Sequence, residues 1–262
     1  MHLDIYGFIL AGFGALAAGF INAMAGGGTL VSFPILTAIG LPAVSANVTN
    51  TVALCPGYVG GIWAQWADLK DQKNLLRWYM PAGALGGLLG GILLLNSGEK
   101  SFRTLIPFFI LFATFVLAVS DRLKRWLAER TSNQTQGSRP AAASKAHLWG
   151  SPAVFLSAIY GGYFGAGLGV VVLATLGMVH NDTLTRLNVL KQAISFAVNV
   201  TAAVFFIFSN QVNWPIVAVM ATFSWLGGVL GGRLAGRINP NVLRWFVVCI
   251  GLVVSIIYFV RG

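Results

Sequence analysis

Long apolar stretches alternate with short polar segments along the chain, and their lengths predict helices that cross a membrane. No charged residue occurs at positions 5–67 or 78–98, and Lys191 is the only one at positions 187–232. Because about 20 apolar residues in a helix cross the hydrocarbon layer, each stretch is long enough for at least one crossing. The pattern predicts helices at positions 5–24, 29–39, 43–66, 75–95 and 102–120, and again near 149–161, 170–178, 187–209, 214–232 and 242–260.

The composition agrees with an integral membrane protein. Hydrophobic residues make up 56% of the chain and charged residues 9%, whereas soluble domains carry about 25% charged residues. The net charge of +10 comes from Lys and Arg in short loops, which favours a role in membrane orientation over the binding of nucleic acid. Cys55 and Cys249 lie in apolar segments without His or Cys neighbours, so we expect no metal site, no cofactor and no disulfide.

The two halves of the chain are related by a shift of 141 positions without a gap. The shift turns the run GGLLGG at 86–91 into GGVLGG at 227–232. Other matched pairs are Gly26 and Gly167, Gly28 and Gly169, Asn47 and Asn188, and Arg103 and Arg244. Matches over so many positions indicate a duplicated unit, with a first membrane repeat at 1–120, a polar cytoplasmic linker at 121–148 and a second membrane repeat at 149–262.

Each repeat begins with a helix that a glycine-rich segment interrupts, at 25–28 in the first repeat and 161–169 in the second. If the broken helix crosses the membrane once, the repeats are parallel; if it turns back at the glycines, each repeat has an odd number of crossings and the repeats are inverted. With the linker in the cytoplasm, only the inverted arrangement also places the basic cluster at 233–244 inside, where Lys and Arg accumulate. We therefore predict an all-α integral membrane protein with two inverted repeats, each a broken-helix hairpin plus three transmembrane helices, and with both termini outside.

The glycine-rich breaks predict a binding site for an anion. A backbone that leaves its helix in lipid loses hydrogen bonds worth several kcal/mol each, so a break must face protein or a water-filled cavity. The short helix after each break directs free N–H groups and its positive dipole end toward the middle of the membrane. The predicted site residues at the breaks are Gly26, Gly27, Gly28, Thr29, Gly165, Gly167 and Gly169. Alternatively, these glycines only permit close helix packing, a role that we favour for the glycines at 86–91 and 227–232.

Polar side chains at helical spacing extend the predicted site. They are Asn22 before the first break, Asn47 and Asn50 after it, and Asn188, Lys191, Gln192 and Asn199 after the second break. Lys191 corresponds to Asn50 under the shift, so a cation in one repeat would face a neutral amide in the other. A lysine within a span is costly unless it is paired or hydrated, which favours a role in anion binding. The alternative is that its side chain extends to the cytoplasmic interface.

These motifs resemble the sulfite exporter TauE/SafE family of membrane permeases. In the first repeat the resemblance lies in GFINAMAGGGTLVSFPIL at 19–36, GLP at 40–42 and ANVTN at 46–50. In the second repeat it lies in YGGYFGAGLG at 160–169 and NVLKQ at 188–192, although the sequence at 167–169 departs from the triple glycine of the first. The resemblance implies a protein of the bacterial inner membrane whose substrate is sulfite, a sulfonate such as sulfoacetate, or a related small oxyanion.

We therefore predict a transporter, embedded in the lipid bilayer, that exports a small sulfur-containing anion across the inner membrane by alternating access. The acidic residues lie in predicted loops or near the N-terminus, which leaves hard cations without ligands. His2, His147 and His180 stand far apart in sequence, and neither an HExxH motif nor a paired-carboxylate motif supports an enzyme. A passive anion channel and a non-transporting structural protein remain as alternatives, and a homodimer as an alternative to a monomer.

Overall fold

The computed structural model describes residues 4–24, 26–64, 69, 72–134, 143–180, 182–234, 237 and 240–261. Within these residues the chain forms nine helices and no strand, which confirms the predicted all-α fold class. The helices are α1 Ile5–Met24, α2 Thr29–Ala38, α3 Ala43–Ala64, α4 Lys73–Gln134, α5 Ala143–Tyr163, α6 Leu168–Val179, α7 Leu184–Ile207, α8 Trp214–Leu234 and α9 Pro240–Arg261.

Most helix boundaries fall within a few residues of the predicted ones, because glycine and proline mark them. α1 ends directly before the glycine-rich break, and α2 ends before the turn at 40–42. α4 contains the two predicted spans at 75–95 and 102–120. Its non-helical residue Gly98, with φ 72° and ψ 161°, divides it into a first arm at 73–97 and a second arm at 99–134.

The predicted linker at 121–148 is helical over much of the part that the structure describes. α4 continues beyond position 120 to Gln134, and α5 begins at Ala143 rather than near 149. The loss of hydropathy at 121 predicts a helix end there, but helix formers such as Leu, Lys, Arg, Ala and Glu continue a helix into water. The centre of the linker, at 135–142, lies outside the described residues.

Both broken helices turn back at their glycines. A Cβ added to Gly28 would lie 2.8 Å from Cα of Ala18, although ten residues of straight helix would separate the two positions by about 15 Å. In the second break the hydroxyl groups of Ser157 and Thr175 are hydrogen-bonded at 3.1 Å. α2 therefore runs back along α1, and α6 runs back along α5, as two helical hairpins.

The halves of the chain pack on each other in a reciprocal pattern. α1 packs on α8 as α5 packs on α4, and α3 packs on α8 as α7 packs on α4. Gly87 lies against the backbone of Val198, and the equivalent Gly228 lies against the backbone of Gly57, which is equivalent to Val198. These contacts confirm that the glycines at 86–91 and 227–232 serve close helix packing.

Five helical segments of the described chain are long and apolar enough to cross a membrane. They are Ile5–Met24, Lys73–Leu123, Leu184–Ile207, Trp214–Leu234 and Val242–Val260. Many large apolar side chains on α4 and α9 are exposed, including Phe115, Phe246 and Ile256. Such a surface suits contact with lipid rather than water.

Candidate functional site

The two glycine-rich breaks are in direct contact. A Cβ added to Gly26 would lie 3.1 Å from Cα of Gly169, and one added to Gly169 would lie 3.2 Å from Cα of Gly26. α2 begins at Thr29 and α6 at Leu168, so the first turns of both short helices lie beside this contact. The fold thus brings Gly26 and Gly169, one predicted break residue from each repeat, into contact, whereas Gly27 and Gly167 face α4.

The backbone of the breaks adopts conformations that favour glycine. The left-handed glycines are Gly26 with φ 77°, Gly27 with φ 103°, Gly165 with φ 76° and Gly167 with φ 72°. A Cβ at such φ values is costly, so glycine is the residue that allows the reversal. These four predicted site residues therefore have a structural reason for their identity in addition to any contact with a ligand.

Asn22 holds the first break in place. Its Oδ1 atom accepts a hydrogen bond of 2.8 Å from the N–H of Gly28, and the N–H of Gly26 donates to the carbonyl of Ile21 at 2.9 Å. Asn22 and Thr29 are buried, with 7% and 6% of their surfaces exposed. The Asn22 side chain therefore satisfies one of the free N–H groups that the sequence assigned to a ligand.

The second break is held by a different residue. The hydroxyl of Tyr160 donates a hydrogen bond of 2.6 Å to the carbonyl of Ala166 inside the break. The shift of 141 positions places Tyr163, not a second asparagine, opposite Asn22. The carbonyl of Tyr163 instead accepts a hydrogen bond of 3.0 Å from Nδ2 of Asn47 on α3. Asn47 thus connects the first repeat to the second hairpin.

Lys191 lies beside the contact between the breaks. A Cβ on Gly169 would lie 3.4 Å from Cδ and 3.6 Å from Cε of Lys191, so its aliphatic stem covers the first turn of α6. Its Nζ donates a hydrogen bond of 2.8 Å to Oδ1 of Asn188, one turn earlier on α7. Only 1% of Lys191 is exposed. A side chain that extended to the interface would be exposed, so the structure favours the interior role over that alternative.

Several polar atoms of α3 and α7 are buried without a hydrogen-bond partner. Among the described residues these atoms include both polar atoms of the Gln192 amide, Oδ1 of Asn47, Oδ1 of Asn50 and Oγ of Ser195. An unpaired buried polar group costs about 1–3 kcal/mol. A bound ligand or water that paired with these groups would recover that free energy, which makes the surface between α3 and α7 a candidate binding surface.

Asn199 and Gln192 belong to the same polar stripe of α7 and have other neighbours. Nδ2 of Asn199 donates to the carbonyl of Ser195 at 2.8 Å, so this amide is engaged with its own helix. Gln192 lies against Gly61 of α3, where an added Cβ would lie 2.7 Å from Nε2. Sequence reasoning missed Gly61, because nothing in its local pattern separates it from the packing glycines of the same helix.

Comparison with known proteins finds matches over nearly the whole chain. A sequence profile described as "Sulfite exporter TauE/SafE" matches residues 10–258. A "Probable membrane transporter protein" of Haemophilus influenzae is 26% identical over 246 residues, which cover 91% of this chain and 89% of that protein. The "Probable membrane transporter protein YfcA" of Escherichia coli K12 is 24% identical over 248 residues, covering 93% and 86%. The "Probable membrane transporter protein ORF9" of a Sinorhizobium species is 25% identical over 264 residues, covering 97% and 92%. No solved structure matches the chain.

Proposed function

We propose that this chain, which belongs to the sulfite exporter TauE/SafE family, exports a small sulfur-containing oxyanion such as sulfite or a sulfonate across the inner membrane. Family membership makes it a multi-pass membrane transporter and not an enzyme, as the sequence predicted. The identity of the anion, the direction of its movement and the alternating-access mechanism are the proposed part.

The observation that carries the proposal is the contact between the two breaks beside a buried lysine. Helix N-termini carry a partial positive charge, and α2 and α6 both begin at this contact. Lys191, when protonated, adds a full positive charge within a site that is closed to water. A singly charged anion would neutralise that charge and accept hydrogen bonds from the unpartnered Nε2 group of Gln192 and the hydroxyl of Ser195.

We further propose that the two repeats are inverted, as the mechanism requires. Each repeat contains a hairpin that returns to its side of entry, followed by three helices or helix arms long enough to cross. An odd number of crossings inverts the second repeat relative to the first, and the reciprocal contacts between halves agree with a two-fold relation. The proposed orientation has the basic loops in the cytoplasm and therefore both termini outside.

Transport is proposed to occur when one repeat moves against the other around this site. Lys191, Asn50 and Gln192 are each 1% exposed, which corresponds to a state closed on both sides. An open anion channel would need a continuous water-filled path past these residues, so the burial favours alternating access. An inside-negative potential drives anion export with about 2.3 kcal/mol per charge per 100 mV, roughly a fifty-fold gradient.

Replacement of Lys191 by Met tests the proposal. A hydrogen bond to a charged group contributes about 1.5–3 kcal/mol, so we expect an apparent affinity for sulfite or sulfoacetate that is roughly 10- to 100-fold weaker in proteoliposomes. Lys73→Met is the matched control, because Lys73 is exposed at the start of α4 and outside the site. Undiminished saturable efflux by the Lys191→Met variant would remove this lysine from the site.

A further inference from the structure

A cavity separate from the proposed anion site lies on the side of the protein where α2, the second arm of α4 and α9 meet. Its volume is about 660 Å³, and its walls are mostly apolar, with Val31, Ile35, Ile250, Val254 and Ile257 among the lining residues. Ile257 is 43% exposed, and the neighbouring Ile256 and Val260 on α9 are exposed as well. The cavity is therefore a groove that opens onto the apolar outer surface of the protein.

One end of this groove carries a positive charge. The exposed side chain of Arg103 lines it, one turn after Lys100 on α4. Glu99 lies at the same end, but its two carboxylate oxygens accept hydrogen bonds of 2.5 Å and 2.9 Å from the N–H groups of Ala43 and Val44 at the start of α3. The positive helix end compensates the charge of Glu99, and no salt bridge reaches Arg103 within the described part of the chain.

The equivalent arginine of the second repeat has its own carboxylate. Arg244, which corresponds to Arg103 under the 141-residue shift, is 6% exposed and forms a salt bridge with Asp121 on α4. The position equivalent to Asp121 is Gly262, which has no side-chain carboxylate. Among the described residues, a salt bridge is therefore found for Arg244 and not for Arg103.

We propose that the groove binds an anionic phospholipid, with one acyl chain along the apolar wall and the phosphate on Arg103 and Lys100. An apolar groove that opens onto the membrane surface of the protein and ends in cations matches an amphipathic anion of this kind. The acyl chain would contact Val31 and Ile35 on α2, the short helix that begins at the break. The bound lipid therefore holds α2 in position, and this inference does not depend on which anion is transported.

The test compares two lipids that differ in headgroup charge. Purified, delipidated protein is titrated with phosphatidylglycerol or phosphatidylcholine of the same acyl chains, and the midpoint of thermal unfolding is followed. We expect a larger and saturable rise with phosphatidylglycerol. In Arg103→Gln the half-saturating amount of phosphatidylglycerol should increase about fivefold, the effect of one cation at a membrane surface. Arg77→Gln, an exposed arginine at the opposite end of the first arm of α4, should behave like the wild type.

Further variants separate the acyl chain from the headgroup. Val254→Trp fills the groove and should abolish the response to phosphatidylglycerol, while soluble glycerol phosphate should leave the unfolding midpoint of the wild type unchanged. Equal responses to both lipids, or an unchanged titration in Arg103→Gln, would overturn the proposal. A concentration-dependent dimer that Val254→Trp disrupts in the absence of lipid would also overturn it, by assigning the groove to a second copy of the chain.

Discussion

Gly28 and Gly169 occupy equivalent positions in the two repeats, yet we expect alanine to destabilise the protein strongly at Gly28 and little at Gly169. A Cβ on Gly28 would lie 2.7 Å from the carbonyl carbon and 2.8 Å from Cα of Ala18, both backbone atoms. Optimal carbon contacts are about 3.5–4.0 Å, so the added atom is roughly 0.8 Å too close to a neighbour that no rotamer change can move. A Cβ on Gly169 would instead meet Gly26 at 3.2 Å and the flexible Lys191 stem at 3.4 Å.

These distances predict different losses of stability for the two variants. Overpacking costs about 1–3 kcal/mol and more where backbone must shift, so Gly28→Ala is placed at the upper end. In a protein of this size we expect its midpoint of thermal unfolding to fall by about 6 to 12 °C. In Gly169→Ala, crowding of a few tenths of an ångström is offset by the helix preference of alanine, about 1 kcal/mol at most, so the midpoint should stay within about 3 °C.

Transport, in contrast to stability, should be sensitive to alanine at Gly169. Gly169→Ala displaces the Lys191 stem and separates the breaks, and we expect sulfite efflux by folded protein in proteoliposomes to fall about tenfold. Gly12→Ala is the matched control, because its Cβ would meet the Val219 and Phe223 side chains at 3.3 Å but lies outside the proposed site. Wild-type efflux by Gly169→Ala would refute the placement of the anion site at the breaks, and an unchanged unfolding midpoint in Gly28→Ala would refute the packing argument.

Two further variants test single contacts by thermal unfolding in detergent. Asn22→Ala leaves the buried N–H of Gly28 without its acceptor and should cost about 1–3 kcal/mol, whereas Thr222→Ala, on an exposed face of α8, should change the midpoint by less than about 2 °C. Asp121→Asn leaves the buried charge of Arg244 without its carboxylate and should destabilise by about 3 kcal/mol or somewhat less, since 24% of the Asp121 side chain is exposed. The double variant with Arg244→Met should recover most of that loss, and no recovery would mean that Asp121 acts through another contact.

The helices could be predicted because local residues mark their ends, and the relation between the two breaks could be predicted because the 141-residue shift aligns them. Glycine-rich and proline-containing segments end α1 and α2, and the 141-residue register predicts that Gly87 and Gly228 share one packing role. The predicted end at 120 was wrong for α4, because hydropathy reports the membrane edge whereas helix length also depends on the polar residues beyond it. Apolar pattern alone does not separate these two boundaries.

The asymmetry between the repeats could be predicted only in part. The pairing of Lys191 with Asn50 under the shift is visible in the sequence, as is the missing glycine at Leu168. The different neighbours of Gly28 and Gly169 arise from tertiary contacts, since one glycine packs within its hairpin and the other across to the opposite break. The bridge between Asp121 and Arg244 joins residues far apart in sequence, and no spacing rule indicates it.

The pairing of α1 with α8 has a consequence for how the protein is made. α1 is complete at Met24, whereas α8 is complete only at Leu234, after most of the chain has left the ribosome. At a synthesis rate of about 5–20 residues per second, α8 is complete roughly 10 to 40 s after α1, and only then can it cover the small-residue face of α1. During that time the first repeat resides in the bilayer with its packing surface against lipid or the insertion machinery. Newly made protein is therefore most vulnerable to degradation before the second repeat arrives.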